Sequence, residues 1–292
     1  MLNNKTVDVA IIGSGPAGIA SAIQLNRYGI KSLLLFDKKE HSSLLLNARM
    51  TENYLGFPDG ISGIDLWHKF YTQLINNNIK QIFNYVDSLD FIESEQLFII
   101  TAGKNTYHAK YVIIASGTNP KKMDLTNNNI YYEITKIITK TDKDIAIIGA
   151  GDAAFDYALS MAKANNVSIF NRGTNINALS VLQEQVNLCN HIKYYDNTKV
   201  INLNSTNSKK QRLVLQHIDD SLELDFDYII AAIGRIANKD FYSNNIRLLE
   251  SILIKNKLLY LVGDVKNNIY RQVAIAVADG ILAAMQLQEC LF

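Results

Sequence analysis

The sequence predicts an α/β protein with two Rossmann-like three-layer dinucleotide-binding domains. Residues 7–37 follow the order strand, glycine-rich turn, helix, strand and acid. Residues 143–172 repeat that plan. Further short apolar runs alternate with helical patterns, as is typical of three-layer α/β folds.

Each residue of the first glycine motif suits a different task in a dinucleotide site. An apolar run at residues 9–12 predicts a buried strand, and Gly13, Gly15 and Gly18 follow it in G-x-G-x-x-G spacing. Gly13 permits the tight turn, Gly15 lets the backbone approach a pyrophosphate, and Gly18 lets the helix pack on the strand. The helix N-terminus favours phosphate. Asp37, nineteen positions after Gly18, is placed to bind a ribose.

The second turn repeats this arrangement. A strand at 145–148 precedes Gly149, Gly151 and Ala154 in G-x-G-x-x-A spacing, and a helix at 155–164 and a strand at 167–170 follow. Two such units predict two bound dinucleotides, or one cofactor and one substrate dinucleotide. The alternative is that the second unit is a structural relic.

Composition excludes several other classes of protein. The 292 residues contain 29 Lys plus Arg and 28 Asp plus Glu without a basic block, which disfavours nucleic acid and anionic membranes as partners. The longest apolar runs are shorter than the roughly 20 residues of a membrane span. Only Cys189 and Cys290 occur, so we expect no disulfide framework and a cytoplasmic location. The five histidines lack metal-ligand spacing, and no metal site is expected.

The remaining elements follow from periodicity and turn residues. Trp67, on a helix predicted at residues 63–76, is interpreted as a core residue. The other predicted elements are antiparallel strands within 84–111, a buried strand at 112–115, a helix within 173–190, two or three strands through 224, strands at 228–233 and 258–262, and a helix at 271–289.

Seven motifs in order carry a family resemblance: GSGPAG, ENYLGFP, IIASGT, GAGDAA, AAIG, VGDV and RQVAIAVADG. Together they span about residues 8–287 and resemble the low-molecular-weight thioredoxin reductase-like flavoproteins. The resemblance implies a homodimer, with FAD on the first unit and NADPH or NADH on the second. It implies an FAD domain at 1–118 and 238–292 and an inserted NAD(P)H domain at 119–237.

The resemblance also assigns two sets of cofactor-binding residues. Asp264 is expected near the ribityl or phosphate oxygens of FAD, and Arg271 beside the isoalloxazine. The full FAD set is Gly13, Ser14, Gly15, Pro16, Ala17, Gly18, Asp37, Asn53, Ser116, Gly117, Thr118, Gly263, Asp264, Arg271, Gln272 and Val273. The NAD(P)H set is Gly149, Gly151, Asp152, Ala153, Ala154, Asn171, Arg172 and Gly234.

The chain departs from the family where the redox-active cysteines should be. Residues 130–136 (IYYEITK) resemble V-S-Y-C-A-T-C, with Glu133 and Lys136 at the cysteine positions. Disulfide reduction requires an attacking thiolate and a resolving thiol, so a dithiol relay is not expected. Glu133 and Lys136 are interpreted either as a surface ion pair or as an acid/base couple by the flavin. No catalytic side chain is otherwise assigned, since the flavin does the chemistry.

Two further departures concern the cofactors. His41-Ser42-Ser43-Leu44 replaces the family's G-G-Q-L-type turn. Asn171 and Arg172 stand where the second unit would have its ribose acid and the next residue. The lost acid and the adjacent arginine favour a 2′-phosphate, although only one of the family's three arginines remains. NADPH is therefore mildly preferred over NADH.

These features favour an FAD-dependent NAD(P)H oxidoreductase with an acceptor other than a protein-bound disulfide. GAGDAAFDY at residues 149–157 resembles the G-G-G-D-S-A-x-D-W of ferredoxin (or flavodoxin)–NADP reductases of the same fold, which makes those carriers the first expectation. A small molecule or oxygen is also open. The competing hypothesis is a non-catalytic FAD-binding redox sensor or partner-binding module.

Overall fold

The chain folds into two compact units, one inserted in the other. The computed structural model describes residues 6–38, 43–125, 129–206, 210–218 and 220–292. The first unit comprises residues 1–46, 52–119 and 236–292, and the second comprises 47–51 and 120–235. The predicted α/β class with an inserted unit is confirmed. The grouping of residues 47–51 with the second unit was not expected from the sequence.

The elements run in chain order through both units. The first segment contains β1 (Val7–Ile12), α1 (Pro16–Arg27), β2 (Leu33–Asp37), α2 (Gly63–Asn76), β3 (Gln81–Phe83), β4 (Ser88–Ile92), β5 (Leu97–Ala102) and β6 (Asn105–Ile114). Next come β7 (Thr118–Pro120), β8 (Ile130–Tyr131), β9 (Asp144–Ile148), α3 (Asp152–Met161), β10 (Asn166–Phe170), α4 (Ser180–Asn187), β11 (Ile192–Tyr195), β12 (Thr198–Ser205), β13 (Gln211–His217), β14 (Asp220–Phe226), β15 (Tyr228–Ala231) and β16 (Arg235–Ala237). The last segment contains α5 (Asn244–Lys255), β17 (Leu259–Leu261) and α6 (Val273–Leu291).

The first unit is built on a seven-stranded sheet in the order β3-β2-β1-β6-β5-β4, with β17 also paired to β6. The pairs β1–β2, β1–β6, β2–β3 and β6–β17 are parallel, whereas β4–β5 and β5–β6 are antiparallel. One buried apolar cluster lies between this sheet and α1 and α6, and a second lies on the side of α5. Parallel pairing with helical cover explains why β1 and β2 are nearly continuous apolar runs.

The second unit has a five-stranded parallel sheet in the order β11-β10-β9-β15-β8. The strands β12, β13 and β14 form a separate antiparallel sheet whose inner face adds to the core of this unit. The strands β7 and β16 pair with each other at the two points where the chain passes between units. Four strands, β11–β14, occupy the region in which two or three were predicted.

Helix α6 is long and apolar enough to cross a membrane by length and composition alone. The sequence did not predict such a segment because its uninterrupted apolar runs are short. One face of α6 packs closely on α1, with Ala276, Gly280, Ala283 and Leu287 buried. Helices of soluble proteins pass the same test when they pack in the core, and α6 packs on the first unit along this one face.

Candidate functional site

The first glycine turn lies between β1 and α1, and its three glycines differ in what surrounds them. Gly13 has a φ of +110°, and a Cβ there would lie 2.3 Å from the carbonyl oxygen of Ala115. A Cβ on Gly18 would lie 1.8 Å from the carbonyl oxygen of Gly13. No described residue lies within 4 Å of the Cβ position of Gly15, the N-cap of α1. Two glycines are therefore required by the protein's own packing, and the third faces open space.

Parallel pairing brings the other predicted residues of the first unit to the same sheet edge. Asp37 is the last residue of β2, is 8% exposed, and accepts a hydrogen bond from the N–H of Lys38 at 2.7 Å. Ser116 follows β6 and donates through Oγ to the carbonyl of Asn238 at 2.6 Å. Gly263 follows β17, and its Cβ position is 3.0 Å from the Cβ of Ala17. The carboxyl ends of parallel strands are where α/β sheets bind ligands.

The remaining residues predicted for FAD come from loops far apart in sequence. Asn53 Nδ2 donates to Gln272 Oε1 at 2.9 Å, which joins the ENY loop to the start of α6. Arg271 Nε is buried and has no hydrogen-bond partner among the described residues. Ser14 and Ala17 are buried beside the turn, Pro16 and Val273 begin α1 and α6, Gly117 and Thr118 lead into β7, and Asp264 lies in the 3₁₀ turn Gly263–Val265.

The second glycine turn repeats this geometry between β9 and α3. Gly149 has a φ of +136°, and a Cβ there would lie 2.4 Å from the carbonyl oxygen of Ala232. In the part of the chain that the structure describes, nothing lies within 4 Å of the Cβ position of Gly151. Ala154 is fully buried, whereas Ala153 is exposed. Asp152 Oδ1 accepts the N–H of Leu179 at 2.8 Å, so this acid holds the loop before α4.

The side chain of Asn171, directly after β10, is occupied by contacts within the protein. Its Nδ2 donates to the carbonyl of Asn175 at 3.0 Å and to Tyr194 Oη at 2.9 Å, and its Oδ1 accepts the N–H of Gly173 at 3.3 Å. Arg172 is exposed and makes no ion pair within the described ranges. Gly234 follows β15 at the same sheet edge, where its carbonyl accepts the N–H of Lys121. The corner where a ribose acid would stand is thus neutral, with one cation beside it.

A profile described as "Pyridine nucleotide-disulphide oxidoreductase" matches residues 7–280. The chain belongs to this family. It is similar to the thioredoxin reductase of Borreliella burgdorferi, with 27% identity over 96% of this chain and 90% of that protein. It is also similar to the thioredoxin reductase of Bacillus subtilis, with 25% identity over 99% of this chain and 96% of that protein.

Solved structures share this fold. The thioredoxin reductase of Lactococcus lactis gives a TM-score of 0.86 at 23% identity, covering 97% of this chain and 98% of that chain. The thioredoxin reductase of T. acidophilum gives 0.83 at 25% identity, with the same coverage of both chains. As a member of this family the protein is a pyridine-nucleotide oxidoreductase that uses FAD together with NADPH or NADH. Two open glycines at helix starts and the orphaned Arg271 Nε fit such groups.

Glu133 and Lys136, at the predicted cysteine positions, do not pair with each other. Glu133 Oε1 accepts from Arg235 NH2 at 3.0 Å, whereas Lys136 is exposed and makes no ion pair among the described residues. The interpretation of Glu133 and Lys136 as a surface ion pair is therefore wrong, and the acid/base alternative remains a prediction. Ile134 and Ile137 turn into the core and fix the loop. Both cysteines of this family member, Cys189 and Cys290, are free.

Several polar residues around Glu133 were not predicted. Asn47 Oδ1 accepts the N–H groups of Ile134 and Thr135 at 2.9 and 3.3 Å. Burial raises the pKa of Tyr157 to about 12, with Glu133 and Asp156 adding to the rise and Arg235 opposing it. The sequence shows Arg235 directly after Gly234. It does not show that Arg235 pairs with Glu133, which lies 102 residues away.

Proposed function

We propose that this protein passes electrons from NAD(P)H through FAD to an acceptor other than a protein dithiol. The observation that carries the proposal is the Glu133–Arg235 ion pair, which stands where the resemblance places the C-x-x-C. A carboxylate held by a guanidinium neither attacks a disulfide nor resolves a mixed disulfide. Ferredoxin or flavodoxin is the proposed acceptor, followed by a small molecule or oxygen.

In this proposal the first unit is the FAD domain. The open side of Gly15 and the N-terminus of α1 receive the pyrophosphate, because no described residue lies within 4 Å of the Cβ position of Gly15. Asp37 accepts hydrogen bonds from the ribose, and the orphaned Nε of Arg271 donates to the flavin end. Asn53 and Gln272 hold each other at that end. The bound flavin supplies hydride and electron transfer, and these side chains bind and orient it.

The second unit is the proposed NAD(P)H domain, with a preference for NADPH. The open side of Gly151 and the start of α3 receive the pyrophosphate. Asn171 brings no negative charge to the ribose corner, and the exposed Arg172 is placed to pair with a 2′-phosphate.

An anaerobic titration tests the proposal. NADPH, then NADH, is added to the purified protein while the visible absorbance of the flavin is recorded. We expect rapid bleaching, faster with NADPH. Reoxidation is then measured with ferredoxin, flavodoxin, a quinone, oxygen and thioredoxin, and we expect thioredoxin to react no faster than the buffer control.

Two results would contradict the proposal. A flavin that neither nucleotide bleaches would favour the redox-sensor or partner-binding alternative. Reduction of thioredoxin as fast as of the best other acceptor would show a disulfide reductase, the activity named for the similar proteins from B. burgdorferi and B. subtilis.

We also propose that the protein is a cytoplasmic homodimer whose subunits meet on the outer face of α6. Four apolar residues are exposed on this helix: Ile275, Ile281, Leu282 and Met285. A second copy of the chain packed on this face would cover them, and α6 would not have to lie in a membrane. Light scattering of the wild type should give the mass of two chains, and light scattering of the Leu282→Glu variant should give the mass of one chain. A monomeric wild-type protein, or one that floats with liposomes, would contradict this assembly.

A further inference from the structure

Asp279 lies in the middle of α6 and holds the turn that begins at Gly263. Its Oδ2 accepts the N–H of Gly263 at 3.1 Å and the side-chain amide of Asn267 at 2.5 Å. Its Oδ1 accepts from Lys266 Nζ at 3.0 Å. The carboxylate therefore binds both ends of the five-residue turn 263–267 and a lysine within that turn. Nothing in the sequence patterns or the family resemblance assigned it a role.

The carboxylate is partly buried, and its donors favour its ionised form. Its side chain is 12% exposed, whereas that of Lys266 is 48% exposed. Burial pushes the pKa of Asp279 upward, but the hydrogen bonds from Asn267, Lys266 and Gly263 outweigh this and hold it below its usual range. A carboxylate with several donors fixes those donors more firmly than a neutral acceptor does.

The next residue fixes the same stretch of α6 against α1. A Cβ on Gly280 would lie 2.2 Å from the carbonyl oxygen of Ala17, so the two helices touch backbone to backbone at this point. Ser21 Oγ donates to the carbonyl of Gly280 at 3.1 Å. Because Ala17 belongs to the first glycine turn, Gly280 sets the position of α6 relative to that turn.

Asp279 and Gly280 thus connect two turns that belong to different segments of the chain. Gly280 contacts the start of α1, and Asp279 holds the Gly263–Asp264 turn against the same helix start, where the Cβ position of Gly263 is 3.0 Å from Ala17. We propose that Asp279 is a positioning residue that holds the Gly263–Asp264 turn in register with the glycine turn, and so sets how firmly the first unit retains FAD. This rests on the proposed FAD site.

The test measures FAD release from the holoenzyme. FAD fluorescence rises when it leaves the protein, and the release rate is compared among Asp279→Ala, Asp279→Asn and Lys266→Met. Asp90→Ala is the matched control, since Asp90 is also in the first unit and accepts from one backbone N–H and two side chains, those of Ser243 and Asn245. The unfolding midpoint of each variant is measured alongside.

We expect Asp279→Ala to release FAD at least about tenfold faster, from the loss of a charge-assisted anchor. Asp279→Asn, which keeps one acceptor oxygen, should be intermediate, and Lys266→Met and Asp90→Ala should stay within about twofold of wild type. If Asp279→Ala does not fold, the intermediate rate of Asp279→Asn decides.

The outcomes separate this inference from the function on which it rests. Wild-type protein that takes up no FAD would refute the proposed function and this assignment with it. Wild-type protein that holds FAD, together with Asp279→Ala and Asp279→Asn variants that release it no faster than Asp90→Ala, would refute the positioning role alone. A lowered unfolding midpoint with an unchanged release rate would also refute it, because Asp279 would then be only a structural anchor.

Discussion

Replacing Gly18 by alanine should lower the stability of the protein, whereas replacing Gly15 by alanine should weaken FAD binding. A Cβ on Gly18 would lie 1.8 Å from the Gly13 carbonyl oxygen, about 1.5 Å inside ordinary contact. The obstructing atom belongs to the backbone, so it does not rotate away. We expect an overpacking cost of about 3 kcal/mol, offset by about 1 kcal/mol from the better helix propensity of alanine. The net loss of unfolding free energy is about 2 kcal/mol.

Gly15→Ala should instead leave stability nearly unchanged and weaken FAD binding. The φ of Gly15 is −72°, which alanine adopts freely, and no described residue lies within 4 Å of its Cβ position. The added methyl would occupy the space assigned to the pyrophosphate.

Urea unfolding of FAD-depleted protein, followed by the fluorescence of Trp67, distinguishes the two effects. Trp67 is the only tryptophan and lies buried on α2 of the first unit. With a slope of about 2 kcal/mol per molar urea, Gly18→Ala should lower the midpoint by about 1 M, and Gly15→Ala by less than about 0.3 M. FAD retention after gel filtration is measured in parallel. A Gly18→Ala midpoint equal to wild type, or a Gly15→Ala protein that retains FAD fully, would refute this reasoning.

Three further predictions concern the second unit. Arg172→Ala should raise the KM for NADPH about tenfold and leave that for NADH within about twofold, from loss of one charge-assisted contact; equal effects in steady-state assays would contradict the 2′-phosphate role. Glu133→Gln should lower the unfolding free energy by only about 0.5–1 kcal/mol, because its pair with Arg235 is partly exposed; urea titration showing a loss above about 2 kcal/mol would contradict this. The folded state raises the pKa of Tyr157 to about 12. The stability that comes from its buried neutral phenol is therefore complete below the pKa of the unfolded state, about 10. This stability is lost as the pH rises from about 10 through about 12. The wild type should lose about 2.7 kcal/mol more than Tyr157→Phe over that range, and equal losses in urea titrations at the two pH values would be evidence against it.

Local periodicity predicted most elements, and it failed where helix faces were not distinct. The predicted helix at 63–76 matches α2 at both ends, because Leu66, Trp67 and Leu74 form one buried face. Helix α5 was missed: Ile246 and Leu253 are buried, but Leu248 and Ile252 are exposed on its other side. Apolar residues on both faces remove the amphipathic pattern on which the prediction depends.

Side-chain partners distant in sequence could not be predicted at all. The spacing of Glu133 and Lys136 suggested a local pair, yet the partner of Glu133 is Arg235. Residues 47–51 carry no motif, but Asn47 binds the loop at Ile134, and Arg49 donates its backbone N–H to Asp156 at 2.8 Å. The loop at His41-Ser42 lies outside the described residues, so the prediction about its flavin contacts remains a prediction.

The two dinucleotide turns share a backbone plan, but they differ in the residue that would discriminate between ligands. Asp37 ends β2, Asn171 directly follows β10, and the two are almost equally buried, at 8% and 7% exposure. A carboxylate there suits the hydroxyls of a ribose and repels a 2′-phosphate, whereas a neutral amide bound to Tyr194 repels neither. With Arg172 beside it, the second turn is the only one of the two whose charge suits NADPH. The proposed division, with FAD on the first unit and NADPH on the second, therefore matches the charges at these two corners.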